Sequence, residues 1–404
     1  MVGVSSAWSS WEAQWGSSGL ACLTGLSDGP PDFSCAHVLV RAEQVAAAVG
    51  HRLGIAVDAA GLLTGRAGLL GLTRGGRVSA GGATRLLAAT DGWCAITLSR
   101  PDDVAAVPAL LQADDAPADP WPALARWVAT HPVSAITERG GLLDIPVAGL
   151  GEVAAASPRI LHMGSRDSQR EPAGLLVADL SSMWAGPLCG QLLARAGATV
   201  VKVESPRRPD GTRAGDRAFF DWMNGEKLSY AADFDDQADE LRELLAAADI
   251  VIEGSRPAAL ERRRLGPDHA APRPGRIWLR INGYDDLRPA FGDDAAVAGG
   301  LVGSAVESGL KGPVFCGDAI ADPLTGLDAT LAVAESLGRG GGELIHVSMA
   351  AVAATYAALS VEESVAEYAA PPPQPPPVSR PAPKLGADND AVRRLVVERG
   401  RTPC

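Results

Sequence analysis

The amino-acid sequence predicts an α/β protein, a doubly wound, mostly parallel sheet in a Rossmann-like large domain with a smaller α+β domain beside it. Three observations lead there. From residue 174 onward short apolar runs alternate with amphipathic stretches of about ten to fifteen residues, the pattern of βαβ units around a parallel sheet. Earlier in the chain, two strand-like runs flank Asp91–Gly92, a hairpin signal with helical stretches after it. And 404 residues, 47 % hydrophobic, are ample for a buried core and for two domains.

The elements follow in order. Residues 1–80 are Gly- and Ala-rich, with a long helix expected at "RAEQVAAAVGHRL" (41–53). Residues 83–150 open on "ATRLLAATDGWCAITLS" and form the small domain. The large domain, 171–370, reads as strand ("GLLVADL"), helix ("GPLCGQLLARAGA") and strand ("TVVKVE"). It continues as helix ("DQADELRELLAAA"), strand ("DIVIEGS"), short helix ("PAALERRRLG") and strand ("RIWLRING"), and after Asp322 as a helix and the strand "ELIHVSM". In 371–404, "AAPPPQPPPVSRPAP" fits neither helix nor sheet interior and is expected as an extended strap, with "LGADNDAVRRLVVERG" as a last helix docking back.

Composition narrows the function. A net charge of −12 argues against general nucleic-acid binding, which needs a basic face. The six cysteines and six histidines are scattered without paired spacing, so neither a zinc site nor a disulfide framework is expected, and Cys316 reads as a small core residue. No stretch reaches the roughly 18 uninterrupted apolar residues of a membrane span, and Met1 to Leu20 is Ser- and Trp-rich. The expectation is a soluble cytoplasmic protein without a signal peptide or membrane span.

Chemistry concentrates in three stretches. "CGDAIADPLTG" (316–326) carries Asp318 and Asp322 among small residues. Asp322 before Pro323, with Leu327, Leu331 and Val333 behind, has the form of a helix N-cap. The first βα turn, "DLSSMWAGPLCG", lacks G-x-G-x-x-G, and Glu204 at the end of the next strand is a weak sign of a dinucleotide site; no Walker pattern occurs. The loop "SPRRPDGTRAGDRAF" places Arg207, Arg208, Arg213 and Arg217 beyond the carboxyl edge of the sheet, and Lys227 follows in "NGEKLSYAADF". Exposed arginines are commonly solvated surface, yet guanidinium forks at that edge suit the phosphates of an anionic ligand.

In order and spacing, "VADLSSMWAGPLCGQLLARAGATVVKVESPRRPDGTR", "NGEKLSYAADF", "ADIVIEGSRPAALERRRLG" and "GPVFCGDAIADPLTGLDA" resemble the family III coenzyme A transferases of the CaiB/BaiF type, a group that also holds the α-methylacyl-CoA racemases. The resemblance implies transfer of CoA between an acyl-CoA and a small carboxylic acid, with CoA as substrate and no tightly bound cofactor, and an interlaced homodimer. It implies a CoA site at Trp184, Ala185, Arg207, Arg208, Lys227, Gly254, Ser255, Arg256 and Arg262; Ser205 stands where some members carry arginine. Asp322 aligns with the nucleophile. The helix start is expected to keep its carboxylate ionised, and Gly317 and Gly326 to supply amides to the developing oxyanion. Asp318 reads as a loop or capping residue. Asp293 takes the place of the racemases' histidine, which argues for transfer over racemisation; polar packing beside the site and a direct part in catalysis both stand as readings of Asp293. A non-catalytic acyl-CoA-binding protein is the other alternative.

The segment order departs from the family. "WGSSGLACLTGLSDGPPDFSCAHVLV" resembles the stretch around the nucleophile, "GGATRLLAATDGWCAITLSRPDDV" the start of the small domain, and "PAPKLGADNDAVRRLV" the closing segment. Residues 1–80 are thus expected to complete the large domain as a degenerate copy, with Val40 at the aspartate position.

Overall fold

The computed structural model describes residues 5–115, 118–254, 257–286, 288–307, 309–359 and 368–401. Its strands are β1 (Thr84–Ala88), β2 (Trp93–Thr97), β3 (Val147–Gly149), β4 (Arg159–His162), β5 (Leu176–Asp179), β6 (Thr199–Glu204), β7 (Leu228–Ala231), β8 (Ile250–Glu253), β9 (Ile277–Asn282), β10 (Val302–Glu307), β11 (Leu310–Phe315) and β12 (Glu343–Ser348). Seven of them form one sheet in the order β4-β12-β9-β8-β5-β6-β7. All neighbours pair in parallel except the edge strand β4, which runs antiparallel to β12. Counted along the chain, the six parallel strands lie in the order 3-2-1-4-5-6, so the winding reverses between β5 and β8, and the crevice beyond their carboxyl ends is where such sheets take ligands. The predicted α/β class and doubly wound sheet are what the chain forms.

Alternation along the strands explains the two layers. Val177, Val200, Ile250, Ile252 and Leu279 belong to one apolar cluster, whereas Leu176, Ala178, Val201, Val251 and Trp278 belong to another, as a two-residue period across a sheet covered on both faces requires. The first cluster is shared along the chain. It contains Trp15, Leu39, Val49 and Leu63 from the N-terminal segment together with Leu188, Leu324 and Leu327 from the large domain. Trp15 is fully buried, and its indole donates to the Asp32 carbonyl at 2.9 Å. Thr24 accepts the Gly317 amide at 3.1 Å, and Asp32 accepts the Ser304 amide at 2.8 Å. Val40 lies within the helix Ala36–Leu53, which begins five residues before the expected stretch.

The antiparallel sheet β1-β2-β3 packs helices Trp121–Val128 and Val133–Leu142 around a separate core of Ile96, Leu110, Leu124, Val128 and Ile136. The proline-rich strap crosses the helix Ala59–Leu70 at its glycines; a Cβ on Gly68 would fall 2.5 Å from the Gln374 carbonyl, so only glycine admits the strap there. Beyond it, Asp388 and Asn389 accept the Ser229 and Ala231 amides at 2.8 and 2.9 Å, and the helix Asn389–Arg401 follows. The open edge of β7 is thereby capped by side chains, which protects it from pairing with another chain.

A fragment of residues 171–404 would uncover the apolar faces that Trp15, Leu39 and Leu63 cover, at about 25 cal/mol for every Å² left exposed. It is expected to be insoluble or to bind a hydrophobic dye with loose packing, and co-expression of residues 1–165 to restore a cooperative thermal transition. A sharp calorimetric melt of the fragment alone would contradict this.

Candidate active site

Buried ions set the first βα turn. Asp179, at the end of β5, accepts the Ser181 amide at 3.1 Å and also its hydroxyl. Lys227 donates to Asp179 at 2.8 Å and to the Pro187 carbonyl at 2.8 Å, with both ionic groups buried. Lys202 donates to the Ser181 carbonyl and pairs with Asp210 at 2.9 Å. Asp210 in turn accepts the Met183 amide at 3.2 Å, which fixes Met183 in the left-handed region at φ 71°. Despite their burial, Asp179 and Asp210 are pulled below the usual carboxylate range by these lysines. Lys227 is therefore a structural counter-ion, in contrast to the expected phosphate ligand.

The turn ends at Trp184, which is buried, meets Phe219 edge-on with ring centroids 5.4 Å apart, and precedes the helix Ala185–Arg195. Against that helix packs Ala321–Gly338. Gly326 makes the approach possible: a Cβ there would lie 2.7 Å from Leu188 Cδ2 and 2.9 Å from the Ala185 carbonyl. The result is that the Ala185 amide, at the start of its helix, favours the charged form of the Asp322 carboxylate. Gly326 is thus a packing residue and Gly317, its amide taken by Thr24 and its φ 67°, is a turn residue. Neither supplies the oxyanion donors expected of it.

Asp322 is the second residue of its helix, with Ile320 at the N-cap, so the capping role read from Asp-Pro does not hold. Its own amide donates to the Ala319 carbonyl at 2.9 Å, across a turn in which Ala319 takes the strained φ of 43°. Around it stand Asp318, Asp293 and Arg66. Arg66 Nη1 donates to Asp318 Oδ1 at 2.5 Å, and its guanidinium carbon lies 5.9 Å from the Trp184 ring and 5.7 Å from the Phe219 ring. Asp293 accepts the Ala319 amide at 3.0 Å and the Thr84 hydroxyl at 3.4 Å. Burial raises all three carboxyls against the pull of Arg66: Asp318 to about 6 and Asp322 to about 7, with Asp293 also above its ordinary value. The expectation that the helix start keeps Asp322 ionised is corrected, because removal from water and two neighbouring carboxylates outweigh the dipole.

The other expected CoA residues divide. Arg207 pairs with Asp233 at 2.7 Å and Asp236 at 2.8 Å, which removes it as a free phosphate ligand. Arg213 forks onto Glu204, closing the ribose reading of that acid, and Arg217 pairs with Asp221. Arg208 and Arg262 are exposed. Gly254 follows β8 directly and faces Ser181 across the switch point, a Cβ there lying 3.7 Å from the Ser181 Cβ. Ser255 and Arg256 lie outside the described residues. Arg66 was missed by sequence reasoning, although it is the one charged residue in "AAGLLTGRAGLL".

The geometry defines a class: a doubly wound sheet with a helix-start carboxylate abutting the first βα turn at the switch point. The family model of CoA-transferase family III matches residues 173–386, more than half of the chain, and the protein belongs to that family. Among curated relatives, succinyl-CoA–D-citramalate CoA-transferase of Chloroflexus aurantiacus is 29% identical over 203 residues, 45% of this chain and 50% of that protein. Succinate–glutarate CoA-transferase of Agrobacterium fabrum is 32% identical over 203 residues, 44% and 50% of the two chains. A solved CAIB/BAIF family protein from Brucella suis shares 29% identity at a TM-score of 0.42, over 47% of this chain and 56% of that one. The chain spans about half the length of the curated relatives it matches.

Two outcomes follow from the electrostatics. Lys227→Met strands the buried Asp179 charge and is expected to cost about 3–5 kcal/mol in denaturant unfolding; an unchanged midpoint would contradict the pairing. Asp322, raised in the folded state, contributes stability that is present below the unfolded value and lost as pH rises through about 7. Asp322→Asn should therefore unfold at higher denaturant than the wild type at pH 8, by at most about 4 kcal/mol, with the gap closing toward pH 4.

Proposed function

We propose that this protein transfers coenzyme A between an acyl-CoA and a small carboxylic acid, with Asp322 as the covalent nucleophile. The observation that carries the reading is the place of the Asp322 carboxylate, packed so closely on Gly292 that a Cβ there would fall 2.4 Å from its Oδ2, on the helix that abuts the turn beyond β5. A carboxylate is a weak nucleophile, made effective by position and by partial removal from water. In the ionised form it attacks the thioester carbonyl, giving a mixed anhydride and CoA thiolate. The thiolate then attacks the aspartyl carbonyl, releasing the donor acid and leaving an aspartyl-CoA thioester, and an acceptor acid reverses the two steps. Met183 and Gly254 beside the first turn, with the exposed cations Arg208 and Arg262, form the proposed CoA surface, over the buried Trp184; Ser255 and Arg256 are assigned to it by the family resemblance alone. Asp293 serves as a positioning residue, since its two oxygens accept from the Ala319 amide and the Thr84 hydroxyl, and this favours transfer over racemisation. By family resemblance the working form is a homodimer.

Incubation with an acyl-CoA should leave a hydroxylamine-sensitive adduct on the peptide containing Asp322, read by mass spectrometry of the intact and digested protein. Asp322→Asn should lower turnover by about 10³-fold or more while keeping the fold. The rate of adduct formation should rise about tenfold per pH unit below 7 and level off above it, because the raised carboxyl must lose its proton before it attacks. Full activity in Asp322→Asn, or an adduct on another residue, would end this mechanism.

A further inference from the structure

Arg66 comes from outside the matched region 173–386 and sits among three carboxylates. One guanidinium cannot neutralise them all, and when Asp322 is acylated the reaction brings another negative charge, the free acid, beside Asp293 and Asp318. Like charges about 4 Å apart repel by about 4 kcal/mol at an effective dielectric of 20. The acid therefore needs a cation at the point of attack, and Arg66 is the cation whose field acts on Asp293, Asp318 and Asp322 alike.

Its geometry leaves that cation available. Of its nitrogens only Nη1 is engaged, on Asp318, and Nε and Nη2 have no partner among the described residues. The side chain is one-quarter exposed. Nη2 lies beside Gly81, where a Cβ would come to 3.2 Å, and both Gly81 and Gly82 are exposed, so no side chain from that turn blocks the approach. Trp184 and Phe219 lie close to the guanidinium, which leaves an edge for polar contacts. A planar fork with a free edge matches a carboxylate.

We propose that Arg66 docks the carboxylate of the acid that gives up or receives CoA, through its free Nε/Nη2 edge beside Asp322; the inference rests on the transferase reading. One oxygen of the acid stays on Arg66 while the other attacks the carbonyl carbon of the aspartyl-CoA thioester. The C–S bond breaks and CoA departs as thiolate. The thiolate then attacks the acid's own carbonyl carbon in the anhydride, the C–O bond to Asp322 breaks, and the Asp322 carboxylate is regenerated. No proton, oxidant or reductant enters the balance.

The test uses the full chain with succinyl-CoA as donor and acetate, malonate and glutarate as acceptors, at pH 7 and pH 9. Loss of a charge-assisted contact should raise the KM for the acid about 10- to 100-fold in Arg66→Lys, at both pH values, with the KM for acyl-CoA changed less than about threefold. Arg66→Met combined with Asp318→Asn, which removes the ion pair without stranding the Asp318 charge, should reproduce the rise with a cooperative thermal melt. Recovery of a normal acid KM at pH 9 would show that Arg66 serves only to keep Asp322 ionised, and would overturn the docking role. Equal rises for acid and acyl-CoA would also overturn it. If the wild type forms the Asp322 adduct while the variants keep a normal acid KM, this inference alone falls; if the wild type forms no adduct, the transferase reading falls and takes it along.

Discussion

Everything at the site depends on how closely two helices approach each other at Gly326. The helix Ala321–Gly338 settles against Ala185–Arg195 because no Cβ stands between Gly326 and the Leu188 side chain or the Ala185 carbonyl. At that separation the Ala185 amide favours the charged form of the Asp322 carboxylate. The turn that carries Ala185 is fixed in its own right, by Asp179, Lys202, Asp210 and Lys227 beneath the sheet edge. Such buried ion pairs contribute little net stability but give a defined geometry, since a lost partner leaves a charge stranded.

Burial of the carboxylates has two opposed effects. Taking Asp322 out of water makes it a better nucleophile once ionised and, by raising its proton affinity to about 7, makes ionisation harder. Asp318 and Asp293 add to the difficulty, and Arg66 relieves it. The site is therefore electrostatically strained by design of its parts, as is common where a catalytic group must be held ready. Ala319, in the left-handed region between Asp318 and Asp322, adds backbone strain of about 1–3 kcal/mol to the same turn.

The N-terminal segment is woven into this arrangement. Thr24 fastens Gly317, Asp32 fastens the β10–β11 hairpin at Ser304, and Arg66 completes the charge balance. The proline strap overlies Gly65 and Gly68 of Ala59–Leu70, the helix that presents Arg66, and so holds that helix in place.

Much of the fold was legible. Strand–helix alternation from "GLLVADL" to "ELIHVSM" marked five of the six parallel strands, because each must be apolar on both faces and bounded by turn residues. β7 was missed inside "NGEKLSYAADF": Ser229 interrupts its apolar residues, so no continuous run marks it as β5 and β8 are marked. Helix Ala59–Leu70 escaped because its apolar residues run all round and leave no stripe to read. At the site, the motif around Asp322 was legible as local spacing, which a linear sequence records. Which charges meet was not. Lys227 and Arg208 look alike in sequence, yet one is sealed against Asp179 and the other lies on the surface. The sequence by itself determined the sheet, its winding and the nucleophile's helix, since those follow from local periodicity and turn chemistry. The tertiary structure decided that Arg66, 256 residues before Asp322 in the chain, stands beside it, and that the carboxyl is raised instead of lowered. Solvent exclusion and long-range charge are properties of the packed molecule, with no local signature along the chain.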